Sequence, residues 1–336
     1  MNHGATIPDY RPLTLGILSD IHYASAPERA QGTDYEYRNL SNPLLRHAVR
    51  LFRTHIWMHD PLGHNHLLDR FLDDATGFDY VIANGDFSCN CEFLGVSENG
   101  AFQSASECLG KLRQKFGEKF YAVCGDHELG KLSSFGRKGG LRLASWKRAT
   151  EELRLQPFWK LTLGSYVLIG IVSTITALPV FEPDMDPAEK PDWEKLRHQH
   201  LTAIRDAFVA LKPEQRVLLF CHDPTALPFL WEDQTIRSKL AQVEQTIIGH
   251  LHSNLVLSFS RRLAGIPKIG FLGHSIERFT HALHQARLWK PFKVRLCPAL
   301  AGIELVKGGG YYTATVDPSG REPVQWLFHH LSRSPS

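Results

Sequence analysis

The chain has 336 residues, 43% of them apolar and 22% charged, with 38 Lys and Arg against 35 Asp and Glu. It is long and apolar enough to bury a core without disulfides or a structural metal, which excludes a disordered chain and a small disulfide scaffold. No apolar run approaches the roughly 20 residues that span a bilayer, and the N-terminus, with Asp9, Arg11 and two prolines, has no apolar signal core, so a cytoplasmic location is expected.

Residues 1–12 read as a tail. An apolar strand at 13–18 runs into Asp20-Ile21-His22, followed by an irregular polar stretch at 24–41. Asn42-Pro43 then opens a helix, with Asn as cap and Pro in the first turn. Leu45, Val49, Phe52 and Ile56 recur at helical spacing on one side, and Arg46, Arg50 and Arg53 on another. A second helix covers 64–76, and a strand at 80–83 ends in Gly85-Asp86. A helix at 104–115 precedes a strand at 120–124, which ends in Gly125-Asp126-His127-Glu128. A helix follows at 142–155, then a strand at 166–172 with no ligand at its end. An acidic, proline-rich loop at 181–191 leads to a long helix at 192–211.

Strands at 217–220 and 246–248 end in Cys221-His222-Asp223 and Gly249-His250-Leu251-His252. Short β pieces are expected after them at 256–259, 268–271, 299–305, 311–316 and 324–328, with a helical segment at 275–289 between. The expected fold is α/β: two mixed sheets packed face to face with helices outside, a four-layer αββα sandwich. The expected domain is a single one over 13–330, with a helical, partly basic insertion at 24–78 and tails at 1–12 and 331–336.

The chemistry lies in those five strand ends. A strand end places Asp or His on the rim of a sheet, and five rims can converge. In Asp-x-His and His-x-His at a strand end, the period of two points both side chains the same way. Carboxylate oxygen with imidazole nitrogen suits manganese, iron or zinc better than copper(I) or calcium. Two such ions roughly 3.5–4 Å apart serve in-line attack on phosphorus. A lone histidine after a strand is usually structural, so each block gains weight only from the others. By the same reasoning Glu128 reads as a loop-orienting residue and Asp223 as a turn or cap. His274 lies outside the blocks. The six cysteines lack zinc or redox spacing; Cys124 and Cys221 sit inside apolar strands, and all read as reduced and non-catalytic.

With its five blocks in order, the chain resembles the calcineurin-like metallophosphoesterase superfamily from about residue 13 to 260. The resemblance implies two divalent metal ions, Mn²⁺ foremost with Fe or Zn as alternatives. It implies Asp20, His22 and His252 on the first ion, Asp86 bridging, and His222 and His250 with Asp126 on the second. His127 would face the scissile phosphate and donate a hydrogen bond or proton to the leaving oxygen. Asp126 departs from the Asn usual there. The simpler reading is that its oxygen substitutes in kind; the other is that a third carboxylate tightens the second ion.

The superfamily indicates a reaction class, not a substrate. Two stretches free of Asp and Glu, 38–58 and 278–302, carry 9 of the 38 Lys and Arg, leaving 29 bases against 35 acids elsewhere. Arg46, Arg50 and Arg53 in the first, and Arg287, Lys290 and Lys293 beside Phe279, Trp289 and Phe292 in the second, suit an anionic membrane surface. The layout is similar to the UDP-2,3-diacylglucosamine pyrophosphatases of lipid A synthesis, in the branch that keeps the third-block His. That implies release of UMP and 2,3-diacylglucosamine 1-phosphate from a nucleotide-linked glycolipid by a peripheral protein on the inner face of the cytoplasmic membrane. The alternatives are a soluble phosphodiesterase for cyclic nucleotides or small diesters, and a metal-free scaffold, which the intact histidine set disfavours. No nucleic-acid partner is expected, because the remainder of the chain is net acidic.

Overall fold

The computed structural model describes residues 11–133, 138–264 and 286–333. The expected strand at 268–271, most of the helical segment at 275–289, His274 and Phe279 lie outside them.

Ten strands among the described residues form two five-stranded mixed sheets. The first contains β1 (Leu13–Leu18), β2 (Tyr80–Asn84), β3 (Phe120–Val123), β9 (Gly310–Val316) and β10 (Gln325–His330), in the order β10-β9-β1-β2-β3. The second runs in chain order through β4 (Phe158–Leu163), β5 (Tyr166–Ile171), β6 (Arg216–Cys221), β7 (Val243–Ile248) and β8 (Val294–Leu296). β1, β2 and β3 are parallel, as are β5 to β8; β9, β10 and β4 join antiparallel. Side-chain alternation then sorts the core. Leu15, Ile17, Tyr166, Leu168, Leu218 and Phe220 pack together from both sheets. Their neighbours Val167, Ile169, Val217 and Leu219 pack with Trp193 and Phe208 of the Lys190–Val209 helix. This is the α/β arrangement expected from the sequence.

The Pro43–Phe52 helix starts as its sequence predicts: the Asn42 side chain accepts from Leu44 N (3.0 Å) and Leu45 N (3.2 Å), with Pro43 in the first turn. It continues into a π-helical turn, Arg53–Trp57. The Asn65–Asp74 helix, inside the expected 24–78 insertion, buries Leu67, Leu68 and Phe71 in the main core.

Three expectations fail. Residues 256–259 are not a strand but part of the Asn254–Arg262 helix, because Ser253 caps its start by accepting from Leu255 N. Residues 299–305 form no strand beyond a bridge between Ser19 and Ala299. Gly302, at φ +64°, turns that segment back against the Gly308–Gly309 backbone, too closely for a side chain at Gly302. β4 and β8 were not anticipated at all.

Candidate metal centre

Because β1 to β3 are parallel, and β6 and β7 likewise, their C-terminal ends share one rim in each sheet, the usual ligand-binding edge of such sheets. Asp20, Asp86, Asp126, His222 and His250 follow those five ends. The loops are laced together: Asp20 N donates to Gly85 O (3.1 Å), His22 N to Asp86 O (3.1 Å) and Gly249 N to His222 O (2.9 Å). A Cβ on Gly249 would press into Ser19 Oγ and Asp20 Oδ2.

The convergence does not come from the pleat of extended strands, as the sequence reading supposed. Asp20, His22, Asp86, His250 and His252 all have left-handed backbone, with φ between 49° and 61°. Asp and His tolerate this region better than most residues, at a cost of about 1–3 kcal/mol each. His250 and His252 sit at alternating turns, where Leu251 N donates to Gly249 O and Ser253 N to Leu251 O (both 2.6 Å).

The side chains meet in overlapping groups whose donor atoms lie within 4.8 Å of one another: Asp20, His22 and His252; Asp86, Asp126, His222 and His250; and His22, Asp86 and His127. In the first, His22 Nε2 lies 3.2 Å from His252 Nε2, and His252 Nε2 lies 3.3 Å from Asp20 Oδ1. In the second, His222 Nε2 is 3.2 Å from both Asp126 Oδ1 and Asp86 Oδ2, and His250 Nδ1 is 3.1 Å from Asp126 Oδ1.

Backbone carbonyls fix the tautomers. His22 Nδ1 donates to Ser88 O (3.2 Å), His127 Nδ1 to the same oxygen (3.0 Å), and His222 Nδ1 to Asn84 O (2.6 Å). With Nδ1 so engaged, each ring in its metal-binding, unprotonated form turns an Nε2 lone pair inward, against carboxylate oxygens and other ring nitrogens. Asp86 Oδ2 is buried and makes no aligned hydrogen bond, although His222 lies close to it. Converging lone pairs with an orphaned carboxylate oxygen fit divalent cations and little else.

A family model for the calcineurin-like phosphoesterases matches residues 13–254. The chain belongs to that family. None of the curated proteins compared matches it. Among solved structures, a dimetal phosphatase from Danio rerio is similar at 14% identity and a TM-score of 0.42, over 91% of this chain and 93% of its own. Purple acid phosphatase PPD1 from yellow lupin (Lupinus luteus) seeds is similar at 13% identity and 0.36, over 72% of this chain and 38% of its own. The phosphopantetheinyl hydrolase of Mycobacterium tuberculosis is similar at 15% and 0.32, over 72% and 83%.

Around the centre of this phosphoesterase stand further residues, some within the motif blocks and some that no motif announced. Glu128 is fully buried and accepts from Asp86 N (3.1 Å), Phe87 N (2.8 Å) and Gly125 N (2.9 Å), clasping two ligand loops as the sequence suggested in outline. Burial first, and then Asp86, push its carboxyl up to about 8. Asp223 caps the next turn by accepting from Thr225 N (2.8 Å). Burial pushes the His127 imidazole down to about 3, against the opposing pull of Asp86. A cavity of about 450 Å³ opens on His22, His127, His250 and His252. Its wall adds Tyr35, Phe52, Trp57, Phe93, Lys131 and Val256, with the Trp57 ring 4.8 Å from that of His252.

The two basic stretches fare differently. Arg53 lines this cavity and pairs with Glu36 (3.1 Å), while Arg46 and Arg50 are exposed on the Pro43–Phe52 helix, away from the ligands. On that helix only Val49 is buried; Leu44 (81% exposed), Leu45, Leu51 and Phe52 face outward, as does Ile56 in the turn that follows. Arg287, Lys290 and Lys293 border a separate concavity with Trp289 and Arg261. Trp289 and Phe292 are buried, so they are core residues rather than the surface aromatics expected. All six cysteines are buried and unpaired. Among the described residues no helix is long and apolar enough to cross a membrane.

Proposed function

We propose that this phosphoesterase uses two divalent cations to hydrolyse a phosphate-bearing amphiphile. The specific candidate is UDP-2,3-diacylglucosamine, cleaved to UMP and 2,3-diacylglucosamine 1-phosphate at an anionic membrane surface, the inner face of the cytoplasmic membrane. In this reading Asp20, His22 and His252 hold one cation, Asp86 serves both, and Asp126, His222 and His250 hold the other. The bound cations, Mn²⁺ foremost with Fe or Zn as alternatives, supply Lewis acidity at the phosphoryl oxygens and acidify water.

The chain's own groups do the positioning. Ser88 O sets the rings of both His22 and His127. With Nδ1 committed there, His127 Nε2 can donate only as the imidazolium. An anionic phosphoryl group beside Nε2 opposes the effect of burial and favours that form, so substrate binding arms His127 to protonate the leaving oxygen. The aromatic and aliphatic cavity wall takes an apolar substituent and keeps bulk water away.

The observation that carries the amphiphile is the outward apolar side of the Pro43–Phe52 helix. It continues through Phe52 into the cavity wall and carries Arg46 and Arg50 with no acidic partner among the described residues. Large exposed apolar patches beside a cavity mark interaction surfaces, and basic amphipathic helices suit anionic lipid. One observation favours a small diester or cyclic nucleotide instead: the cavity volume lies towards the lower end of ligand pockets.

The test is Mn²⁺-supported turnover of UDP-2,3-diacylglucosamine in mixed micelles, compared with cyclic nucleotides and bis(nitrophenyl) phosphate. The lipid is expected to give the highest kcat/KM. Leu44→Ser with Leu45→Ser and Leu51→Ser should lower lipid turnover and liposome co-sedimentation together. Turnover of the generic diester alone would remove the lipid reading, and no turnover of any ester by metal-loaded protein would remove the reaction class.

A further inference from the structure

Three carboxylates face the centre, and they are not held alike. Asp20 is held by Ser19 Oγ (2.5 Å) and His250 N (3.0 Å), and Asp86 Oδ1 accepts from His127 N (3.0 Å). Asp126 alone of the three has a Lys or Arg partner among the described residues: Lys131 Nζ lies 2.6 Å from its Oδ2. Its other oxygen, Oδ1, faces His222 and His250.

The loop is built to aim this lysine. Gly130, at φ +90°, turns the chain so closely past Gly140 and Leu94 that no side chain fits there. Lys131 N then donates to Phe93 O (3.1 Å), and Lys131 O accepts from Gly140 N (3.2 Å). Asp126 is 2% exposed, so this is not a solvent-screened surface pair, and losing one partner would leave a buried charge uncompensated.

We propose that Lys131 is a positioning residue that neutralises Asp126 and ties up Oδ2, so that Asp126 reaches the second cation through Oδ1 alone with the charge of an amide. This rests on the two-cation reading above. Lys131 thereby limits the affinity of the second cation, because its ammonium repels that ion.

The test is calorimetric titration of Mn²⁺ into the full chain after chelator stripping. Lys131→Met should tighten the weaker site, and Asp126→Asn should weaken it, each by about tenfold or more for a unit charge a few ångströms away. The double variant, with no unpaired charge, should return close to wild type, and Lys131→Arg should behave as wild type. A purely structural lysine predicts instead that the double variant binds no better than Asp126→Asn; that result, or an unchanged Lys131→Met, overturns the inference. If Lys131→Met does not fold, the double variant against Asp126→Asn still decides. Wild type binding fewer than two Mn²⁺ would sink the two-cation reading and this inference together; two ions with a double variant no tighter than Asp126→Asn would sink this inference alone.

Discussion

His200 is the sharpest test of how this core responds to acid. It lies on the Lys190–Val209 helix, 4% exposed, with Trp193 and Ile204 on the same buried side. Its Nε2 accepts from Val172 N (3.2 Å) just past β5, and Ser173, next in the chain, takes Asp223 N on its hydroxyl (2.8 Å). The ring therefore ties the helix to the support of the His222 loop. Burial pushes its pKa down from 6.5 to about 4. Above the unfolded value both states are neutral and nothing is lost. As pH falls from 6.5 towards 4, the unfolded chain takes a proton that the fold refuses, so stability drops. Between about pH 7.5 and pH 4.5 this one group removes about 2.5 kcal/mol. In His200→Gln an amide oxygen can still accept from Val172 N, and nothing there titrates. The variant should cost about 1 kcal/mol near neutral pH and lose that deficit in acid. Urea unfolding of metal-stripped wild type and variant across this range measures the difference, which cancels every other titrating group. Parallel pH curves for the two proteins would refute the reasoning.

Glu128→Ala removes the acceptor from three buried N–H groups and should cost about 3 kcal/mol or more in urea unfolding of the metal-stripped protein; a cost below about 1 kcal/mol would show that these loops need no clasp. Gly249→Ala drives a methyl group into Ser19 and Asp20, so it should cost about 1–3 kcal/mol and weaken Mn²⁺ binding in calorimetry. Unchanged affinity would mean that the rim yields freely at that point.

The architecture was legible where chemistry and periodicity agreed. An apolar run followed by Gly-Asp or His located β1, β2, β3, β6 and β7, because a parallel strand buried on both faces is apolar throughout and its C-terminal end carries the ligand. Short mixed runs were not legible. Residues 256–259 are a short, mostly apolar run that passes for a strand, and the Ser253 cap outweighs that reading over nine residues, Asn254–Arg262. β4 alternates as Trp159, Leu161 and Leu163 suggest, but only its hairpin with β5 makes it a strand. Lys131 and Trp57 were invisible for another reason. Their roles arise from a glycine turn and a π-helical turn that place them against Asp126 and His252, and neither residue type carries a signal at such spacing.

The backbone at these positions also explains how sequence periodicity singled out residues that meet in space while supposing a different local geometry. Five of the ten non-glycine residues with positive φ among those described are Asp20, His22, Asp86, His250 and His252. An extended strand end would carry each pair onto one face and then past the rim; a left-handed residue instead folds the chain back at once, so that successive loops fit beneath one another. Such turns are unfavourable, and the lone pairs they bring together repel. The fold offsets both from outside the ring of ligands, with the carbonyls of Ser88 and Asn84, the Glu128 clasp and the main core beneath. A centre assembled at such cost, and left with an orphaned carboxylate oxygen, gains stability from whatever positive charge enters it. In this phosphoesterase one share of that charge is already supplied by the chain, as Lys131, and the remainder is what the rest of the donor set is shaped to accept.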